Sequence, residues 1–550
     1  MLNNDGVVAY FTPEVALDDE LHTYSGGLGV VAGDFLRSAQ KLGLPVVGVT
    51  ILPRQGYYDQ YITRQNTMGI RYMNRYYDGI LENTGVTFVI KICGAPVHIK
   101  VWRLKEGMYG SSPVLFLDTD IEENDELSRK NTMQLYGGSR EQGSNMERRI
   151  AQSMVLGIGG VEALRRLGIK VKLYHLNESH SAFAGLYLLY ERLKNGENLQ
   201  DGWKAVRNQI VFTTHTPVEA GNPKYDLPKV EWMLGMGDFI SHETMIKIGS
   251  DSRRPHIYEY FDMAAACIRL SRKFNAVSKR HFEIVSDLSA HISGKPPLVY
   301  VTNGVSTNFW QDSDFAKAQS HEDLQRVKLE AKRRLLRYIA ENTGKYLSES
   351  VMLITWARRW AEYKRPDLIL RNFEWIKDLL VLNKIQLVFA GKPHPDDTVM
   401  VNLFNHFLWL STQVPNLVML SGYELNLSKI LKAGSDVWLN TPRAPQEASG
   451  TSGMSAQMEG TIHNSTLDGW TCEAKAENCF IFGAKHHSGP AYEQDEYDAE
   501  KLRLQIPQIM ELYYQRKDEW YNKALAAKLE SEAYWNSDRM VRQYIERLYA

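Results

Sequence analysis

The feature that most constrains the fold of this sequence is an alternation of short apolar strands, loops and amphipathic helices. A short apolar strand is predicted at residues 171–176, and units of a strand followed by a loop recur at 210–217, 298–304, 351–359, 385–391, 417–422 and 436–440. Apolar residues at helical spacing predict helices over 146–168, 181–193 and 538–550, and a charged helix is predicted within 311–350. Alternating strands and helices predict an α/β fold with parallel sheets and crossover helices.

Nearly every polar residue that is a candidate for chemistry follows one of these strands. In open α/β sheets, ligands bind at this edge, beyond the carboxyl ends of the strands. The charged segment 311–350 comes after the hinge-like stretch VTNGVSTNFW and indicates the start of a second domain. A surface helix inside one large domain is the alternative interpretation.

Composition excludes several classes of protein. A chain of 550 residues with 44% hydrophobic residues can bury a core, which excludes general disorder. The 64 basic and 65 acidic side chains nearly cancel, which argues against nucleic acid or a membrane as the main partner. The four cysteines form no CxxC pair and the first residues show no secretory pattern, so we expect a cytoplasmic protein. The oligomeric state is left open, a homo-oligomer included.

Two loops carry groups suited to bind an anion. The glycine-rich turn YSGGLGVVAGD (24–34) leads into a helix whose first amides favour an anion, although a tight turn without a ligand fits equally well. The stretch ARRWAEYKRPD (357–367) places Arg359 five residues before Lys364. These two cations would neutralise a phosphate or diphosphate, and the start of a solvated basic helix is the alternative.

The other polar candidates are a glutamate and several histidines. Glu447 opens the loop EASGTSGMSAQMEG, where it would accept sugar hydroxyls or cap a turn. His175, His180 and His215 lie near strand ends, but a zinc site needs three or four convergent ligands. Structural or substrate-contacting roles are therefore favoured for the histidines, and no metal is expected.

Taken in order, several motifs resemble those of the α-glucan (glycogen or maltodextrin) phosphorylase family in its short prokaryotic form: YSGGLG, HLNESHSAF, VFTTHTP, VTNGV, ARRWAEYKR, VFAGKPHP and EASGTSGM. The resemblance covers nearly the whole chain. It implies a GT-B fold, with two Rossmann-like domains facing across an interdomain cleft, and transfer of an α-glucosyl unit with retention. The domains would span 1–305, on the acceptor side, and 306–530, on the donor side, and a helix at 531–550 would cross back to the first.

The resemblance also implies site residues. The transferred phosphate would be approached by the backbone amides of Gly26, Gly27 and Leu28 and gripped by Arg359 and Lys364. The glucosyl unit would be contacted by His215, Asn303, Glu447, Ser449 and Gly450. The 6-hydroxyl would lie near Asn303, and the 3-hydroxyl edge near Glu447. The catalytic set would be Arg359, Lys364, Glu447 and His215.

One position departs from the family pattern. In the family, EASGT-x-x-M is followed by a lysine that holds pyridoxal phosphate as a Schiff base, whereas here Ser455 follows Met454. A hydroxyl cannot form an imine, so no covalently bound cofactor is expected. Glycogen synthases, distant relatives with the same fold, resemble the arrangement that remains: an Arg/Lys pair holds the diphosphate of a nucleotide sugar and a glutamate holds the sugar.

Three functions stay open at this point. The leading hypothesis is a retaining glucosyltransferase that uses a nucleotide sugar as donor and an α-1,4-glucan or a smaller sugar as acceptor. The second is a phosphorylase that releases glucose 1-phosphate, with pyridoxal phosphate bound non-covalently or with Ser455 as an engineered replacement of the lysine. The third is a glucan-binding protein that has lost catalysis, and the retained Arg359, Lys364 and Glu447 count against it.

Overall fold

The computed structural model of the protein describes residues 6–137, 145–218, 222–238, 240–250, 260–485 and 487–550. The strands are β1 (Val7–Phe11), β2 (Val46–Ile51), β3 (Asp59–Ile62), β4 (Met68–Arg71), β5 (Leu81–Ile92), β6 (Ala95–Leu104), β7 (Val114–Asp118), β8 (Val171–Asn177), β9 (Ile210–Thr213), β10 (Lys224–Asp226), β11 (Tyr260–Asp262), β12 (Lys273–Ala276), β13 (Leu298–Tyr300), β14 (Met352–Ala357), β15 (Ile385–Ala390), β16 (Leu417–Leu420), β17 (Val437–Asn440), β18 (Ile462–Thr466) and β19 (Phe480–Phe482).

The helices are α1 (Gly27–Lys41), α2 (Glu126–Met133), α3 (Asn145–Met154), α4 (Gly160–Arg166), α5 (Ala182–Lys194), α6 (Leu199–Asn208), α7 (Leu227–Leu234), α8 (His242–Gly249), α9 (Met263–Leu270), α10 (Lys279–Leu288), α11 (Thr307–Trp310), α12 (Ser313–Lys317), α13 (His321–Thr343), α14 (Phe373–Val381), α15 (Thr398–Gln413), α16 (Leu425–Gly434), α17 (Ser452–Met458), α18 (Ala491–Gln515), α19 (Lys517–Tyr534) and α20 (Ser537–Gln543). One π-helical turn, Val155–Gly159, joins α3 to α4, and another, Tyr544–Tyr549, continues α20.

The structure confirms the α/β fold and the elements predicted from the sequence. β8, β9 and β13 to β17 lie where apolar runs predict strands. The segment 146–168 forms α3, its π turn and α4, the charged segment forms α13, and the last predicted helix forms α20 and its π turn. In the described part of the chain, no helix combines the length and the apolar character needed to cross a bilayer.

Residues Met1–Tyr58, Tyr72–Thr302 and Met540–Ala550 form a first compact unit. Within its described residues, the main sheet has nine strands in the order β13-β12-β9-β8-β1-β2-β7-β6-β5. The strands pair in parallel, except that β6 runs antiparallel to β5 and β7. β1 lies between β2 and β8, so the order of the strands reverses there. Such a reversal opens a ligand crevice at the carboxyl ends of the strands.

Residues Asp59–Arg71 and Asn303–Arg539 form a second unit. As far as it is described, its main sheet is parallel and has six strands in the order β16-β15-β14-β17-β18-β19. This is the order of a Rossmann sheet, and it reverses between β14 and β17. The hairpin of β3 and β4 belongs to this unit although its residues come early in the chain.

The sheet of the second unit is buried on both faces. Along β14, Met352, Ile354 and Trp356 belong to one apolar cluster, and Leu353 and Ala357 belong to another. Because successive side chains of a strand point to opposite faces, the two clusters lie on the two sides of the sheet. Burial of both faces by helices explains why the strands are almost entirely apolar in the sequence.

The last residues of the chain pack into the core of the first unit. Met540 and Tyr544 are buried in the same apolar cluster as Phe35 of α1. The hydroxyl of Tyr549 lies 2.7 Å from Nδ1 of His175, at the end of β8. The structure therefore gives His175 a structural role, holding the end of the chain against the sheet.

Candidate active site

The charged residues of the second unit gather where its strand order reverses. β14 and β17 are neighbours in the sheet. Arg358 follows β14 directly, Lys364 ends the 3-10 turn Glu362–Lys364 beyond it, and Glu447 lies in the loop after β17. Since the connections of β14 and β17 leave the sheet in opposite directions, their loops enclose a crevice in which polar groups can meet a ligand.

Glu447 forms two ion pairs through one oxygen. Its Oε2 accepts a hydrogen bond from Nη2 of Arg358 at 2.7 Å and another from Nζ of Lys364 at 2.8 Å. The side chains of Arg358, Lys364 and Glu447 are 7%, 9% and 13% exposed. Burial by itself would raise the pKa of Glu447, but the positive charges of Lys364 and Arg358 outweigh burial and lower it to about 2. The carboxylate is therefore ionised at neutral pH.

The structure brings Arg358, rather than its neighbour Arg359, into this cluster. Arg359 is exposed, while Arg358 is buried. Neighbouring side chains at the end of an extended strand point to opposite sides, so only one of two adjacent arginines can turn inward. The sequence shows the charge of Arg358 but not the direction of its side chain, so it does not predict the pairing of Arg358 with Glu447.

A buried network fixes the turn that carries Lys364. Arg365 adopts a left-handed φ of +45° and donates from Nε to the carbonyl of Thr441 at 2.8 Å. Its guanidinium also pairs with Asp495 at 2.9 Å and with Asp498 at 2.8 Å. The Thr441 hydroxyl donates to the carbonyl of Lys364 at 2.7 Å. The loops after β14 and β17 are thus joined by hydrogen bonds of Arg365 and Thr441, independently of the Glu447 ion pairs.

Several buried polar atoms beside the cluster lack a hydrogen-bond partner among the described residues. They include Nε and Nη1 of Arg358 and Oγ of Ser449. Burial and the nearby charge of Arg358 lower the pKa of His463 to about 3, so its ring is neutral. Unpartnered buried polar groups are costly, and they are common where a protein binds a polar ligand.

Other sugar-contact candidates also lie in the second unit. Ser449 is 3% exposed, and Gly450 has a φ of +74°, which favours glycine. Asn303 is also 3% exposed, and its carbonyl accepts a hydrogen bond from Arg539 at 2.8 Å. The Oδ1 of Asn303 has no partner in the part of the chain that the structure describes. A ligand hydroxyl would satisfy this oxygen.

Ser455 lies inside α17 and does not fit a covalently bound aldehyde cofactor. The side chain is 1% exposed, and its hydroxyl lies 3.3 Å from the carbonyl of Thr451 and 3.2 Å from that of Ser452. Serine has no amine with which to form an imine, and this hydroxyl is directed at its own helix. Within the described residues, no group of three or more His, Cys, Asp or Glu side chains could hold a metal ion.

His215 follows β9 of the first unit and reaches the end of β8, next to the strand reversal, through Asn177. Its Nε2 is 2.7 Å from Oδ1 of Asn177, whose Nδ2 donates to the hydroxyl of Thr12 at 3.2 Å. Burial lowers the pKa of His215 to about 3, so the ring is neutral. An amide oxygen can only accept, so Nε2 carries the proton and Nδ1 is left as an acceptor. His215 is thus prepared to accept a hydrogen bond from a hydroxyl.

Glu178 holds the loop that carries His215. Its Oε2 accepts from the backbone N–H of His215 at 2.9 Å and from the hydroxyl of Thr216 at 3.3 Å. Glu178 has a φ of +76° and a ψ of 159°, a region that residues other than glycine rarely occupy. Burial raises its pKa, and the hydrogen bonds that it accepts offset part of this rise. Glu178 belongs to the motif HLNESHSAF, but the sequence alone does not predict that its carboxylate holds the loop of His215.

The glycine-rich turn leads into α1 as predicted, but the carboxylate of Glu14 already accepts hydrogen bonds from some of its backbone N–H groups. Glu14 accepts from the backbone N–H groups of Ser25 at 2.6 Å and of Gly29 at 2.8 Å. A Cβ built on Gly26 or Gly27 would meet no atom within 4 Å, so the backbone there is open. The first amides of the loop, including that of Leu28, are therefore the ones suited to an anion.

Comparison with known proteins relates both parts of the chain to sugar-transferring enzymes. The starch synthase catalytic domain family matches residues 8–292, and the carbohydrate phosphorylase family matches residues 307–513. The chain is 36% identical to an uncharacterized protein of Methanocaldococcus jannaschii, over 98% of this chain and 99% of the relative. It is 29% identical to the maltodextrin phosphorylase of Thermococcus litoralis, over 99% and 70%, and 29% identical to the glycogen phosphorylase of Aquifex aeolicus, over 99% and 86%.

Two Rossmann-like units, each with polar side chains at its strand reversal, together with these matches define a glycosyltransferase with the two-domain architecture of the GT-B type. The enzyme is a hexosyltransferase. More particularly, the chain belongs to the α-glucan phosphorylase family.

Proposed function

We propose that the protein is a retaining α-glucosyltransferase that takes its glucosyl unit from a nucleotide sugar and passes it to an α-1,4-glucan or a smaller sugar. One observation carries the proposal. The second unit holds a buried arginine and a buried lysine at its strand reversal, while the residue after Met454 is Ser455, which cannot bind pyridoxal phosphate covalently. A nucleoside diphosphate supplies two phosphates without a cofactor.

The cation cluster suits a diphosphate in charge and in hydrogen bonding. Arg358 carries two buried N–H groups without a partner in the described residues, and the exposed guanidinium of Arg359 adds a further positive charge nearby in the chain. Arginine offers a planar fork to phosphate oxygens, while Lys364 offers a point charge. Charge that develops on the leaving diphosphate would be stabilised by these fixed donors, an effect that often supplies several kcal/mol.

The sugar contacts follow from the remaining residues. We assign the glucosyl hydroxyls to Asn303, Glu447, Ser449 and Gly450 of the second unit. For the first unit, we assign Nδ1 of His215 to a hydroxyl of the substrate. No side-chain nucleophile is required for retention if the acceptor enters on the face from which the diphosphate leaves. The amides of Gly26, Gly27 and Leu28 are assigned to an anion of the substrate, because the open backbone there leaves room for one.

A second candidate is a phosphorylase that binds pyridoxal phosphate without a covalent bond and releases glucose 1-phosphate. It is favoured by the names of two relatives, maltodextrin phosphorylase and glycogen phosphorylase. The third candidate, a glucan-binding protein without activity, is disfavoured because glucan binding alone does not require the buried cations of Arg358 and Lys364.

Two measurements separate these candidates. An absorption band near about 330–420 nm that borohydride reduces would reveal a pyridoxal imine and overturn the nucleotide-sugar proposal. Titration calorimetry with UDP, ADP and GDP would then test the donor. Binding weaker than about 0.2 mM, or about −5 kcal/mol, for all three would contradict a nucleotide donor. Glucosyl transfer from the matching nucleotide sugar to maltooligosaccharides is the expected positive result.

A further inference from the structure

A second buried ion pair lies along the same sheet edge as the phosphate-binding cluster. Lys392 follows β15, and Glu424 follows β16 and forms the N-cap of α16. The ammonium of Lys392 pairs with the carboxylate of Glu424. The two side chains are 9% and 23% exposed, so the carboxylate is reachable from outside. Neither Lys392 nor Glu424 is among the residues proposed to bind phosphate or the glucosyl unit.

The pair is connected to Arg358 through the backbone. The N–H of Trp360 donates to the carbonyl of Lys392 at 3.1 Å, and the N–H of Arg358 reaches the carbonyl of Ala390 at 3.4 Å. A Cβ on Gly391, whose φ is +125°, would lie 1.8 Å from the carbonyl oxygen of Arg358. Only glycine allows this approach, so the loops after β14 and β15 are in close contact.

The loop that carries Glu424 is fixed from two other sides. The hydroxyl of Tyr423 lies 3.3 Å from the carbonyl of Ala357 and 2.9 Å from the hydroxyl of Ser428. Gln60 donates to the carbonyl of Gly391 at 3.2 Å and accepts from the N–H of Gly422 at 3.0 Å. The carboxylate of Glu424 therefore has a defined place beside the loop of Arg358.

We propose that Glu424, oriented by Lys392, binds the ribose hydroxyls of the donor nucleoside diphosphate. The proposal rests on the proposed function, because it needs a nucleotide at the Arg358 cluster. A ribose diol offers two O–H donors, and an ionised carboxylate accepts only. In open α/β sheets an acidic side chain at the carboxyl edge recognises a ribose in this way, while the phosphates sit at the strand reversal. Lys392 neutralises the carboxylate, so that its charge does not repel the diphosphate.

The test compares three ligands on two proteins by titration calorimetry. The ligands are the tightest binder among UDP, ADP and GDP, its 2′,3′-dideoxy analogue, and inorganic pyrophosphate. In the unmodified protein, removal of the two hydroxyls should weaken binding about tenfold or more, as expected for hydrogen bonds to a charged group. In Glu424→Gln, the ribonucleotide should weaken by a similar factor, the dideoxy analogue should weaken little further, and pyrophosphate should bind at least as well as before.

Outcomes distinguish this inference from the function on which it rests. If no nucleotide binds the unmodified protein, the proposed function fails. If a nucleotide binds and its dideoxy analogue binds equally well, the function stands and the ribose assignment is overturned. The ribose assignment is also overturned if the change from ribonucleotide to dideoxy analogue weakens binding by the same factor in Glu424→Gln as in the unmodified protein. Glu349→Gln is the matched control, since Glu349 pairs with Arg333 in the same unit at an exposed site, and it should change none of these affinities.

Discussion

Removal of the charge of Glu447 is the most informative perturbation of the cluster. In Glu447→Gln the shape and one acceptor oxygen are kept, but Arg358 and Lys364 lose the negative charge that both contact, at 2.7 and 2.8 Å. Two buried cations then face each other without compensation. We expect the free energy of unfolding to fall and the affinity for inorganic pyrophosphate to rise, because a carboxylate charge no longer competes with the anion for the two cations.

The magnitude follows from the pKa of Glu447. The pKa of Glu447 is about 2 in the folded protein, against an ordinary value of 4.5. At ~1.4 kcal/mol for a pKa difference of one, this corresponds to about 3 kcal/mol of folding stability. Loss of one partner of a buried pair typically costs a similar ~3–5 kcal/mol. The folded pKa lies below the unfolded one, so this stability is present above pH 4.5 and is lost as the pH falls toward 2.

Urea unfolding monitored between pH 3 and pH 8, combined with calorimetric titration of pyrophosphate, measures both effects. Glu447→Gln should be less stable by about 3 kcal/mol at pH 7 and should depend less on pH below 4.5. Pyrophosphate should bind it about tenfold more tightly, which is ~1.4 kcal/mol. Glu349→Gln, at an exposed ion pair of the same unit, serves as the control and should change little. Unchanged stability together with unchanged pyrophosphate affinity would refute the reasoning.

Three further outcomes are expected. Arg358→Ala and Arg359→Ala should each lower turnover about 10²-fold. Only Arg358→Ala should also lower the melting temperature, because Arg358 is buried and Arg359 is exposed. Near-normal turnover in either variant would exclude that residue from the phosphate site. Glu178→Ala should lower kcat about 10²-fold and Glu178→Gln less than tenfold, because the amide of glutamine keeps an acceptor for the loop of His215. Equal losses of kcat in the two variants, measured by steady-state kinetics, would contradict a role of Glu178 in positioning His215. Lys332→Met breaks a buried ion pair with Asp436, whose charged atoms lie 2.7 Å apart. The free energy of unfolding measured with a chemical denaturant should fall by about 3–5 kcal/mol, while nucleotide affinity should not change. An unchanged free energy of unfolding would show that the pair does not stabilise the second unit.

The sequence by itself determined the fold class, the family and the chemical identity of the site. Strands such as β14 and helices such as α13 are set by local periodicity, which is legible along the chain. The order of the motifs identifies the family, and the presence of Ser455 in place of an amine is a fact of the sequence. These features depend on residue type and spacing alone, so no structure was needed for them.

Only the tertiary structure decided which groups face each other. It turned Arg358 inward and Arg359 outward, placed Glu447 between two cations, and joined Lys392 to Glu424 across two strands. It also assigned residues 59–71 to the second unit and Met540–Ala550 to the first. Such contacts join residues far apart in the chain, and they depend on sheet order and on the direction of each side chain, neither of which local spacing encodes.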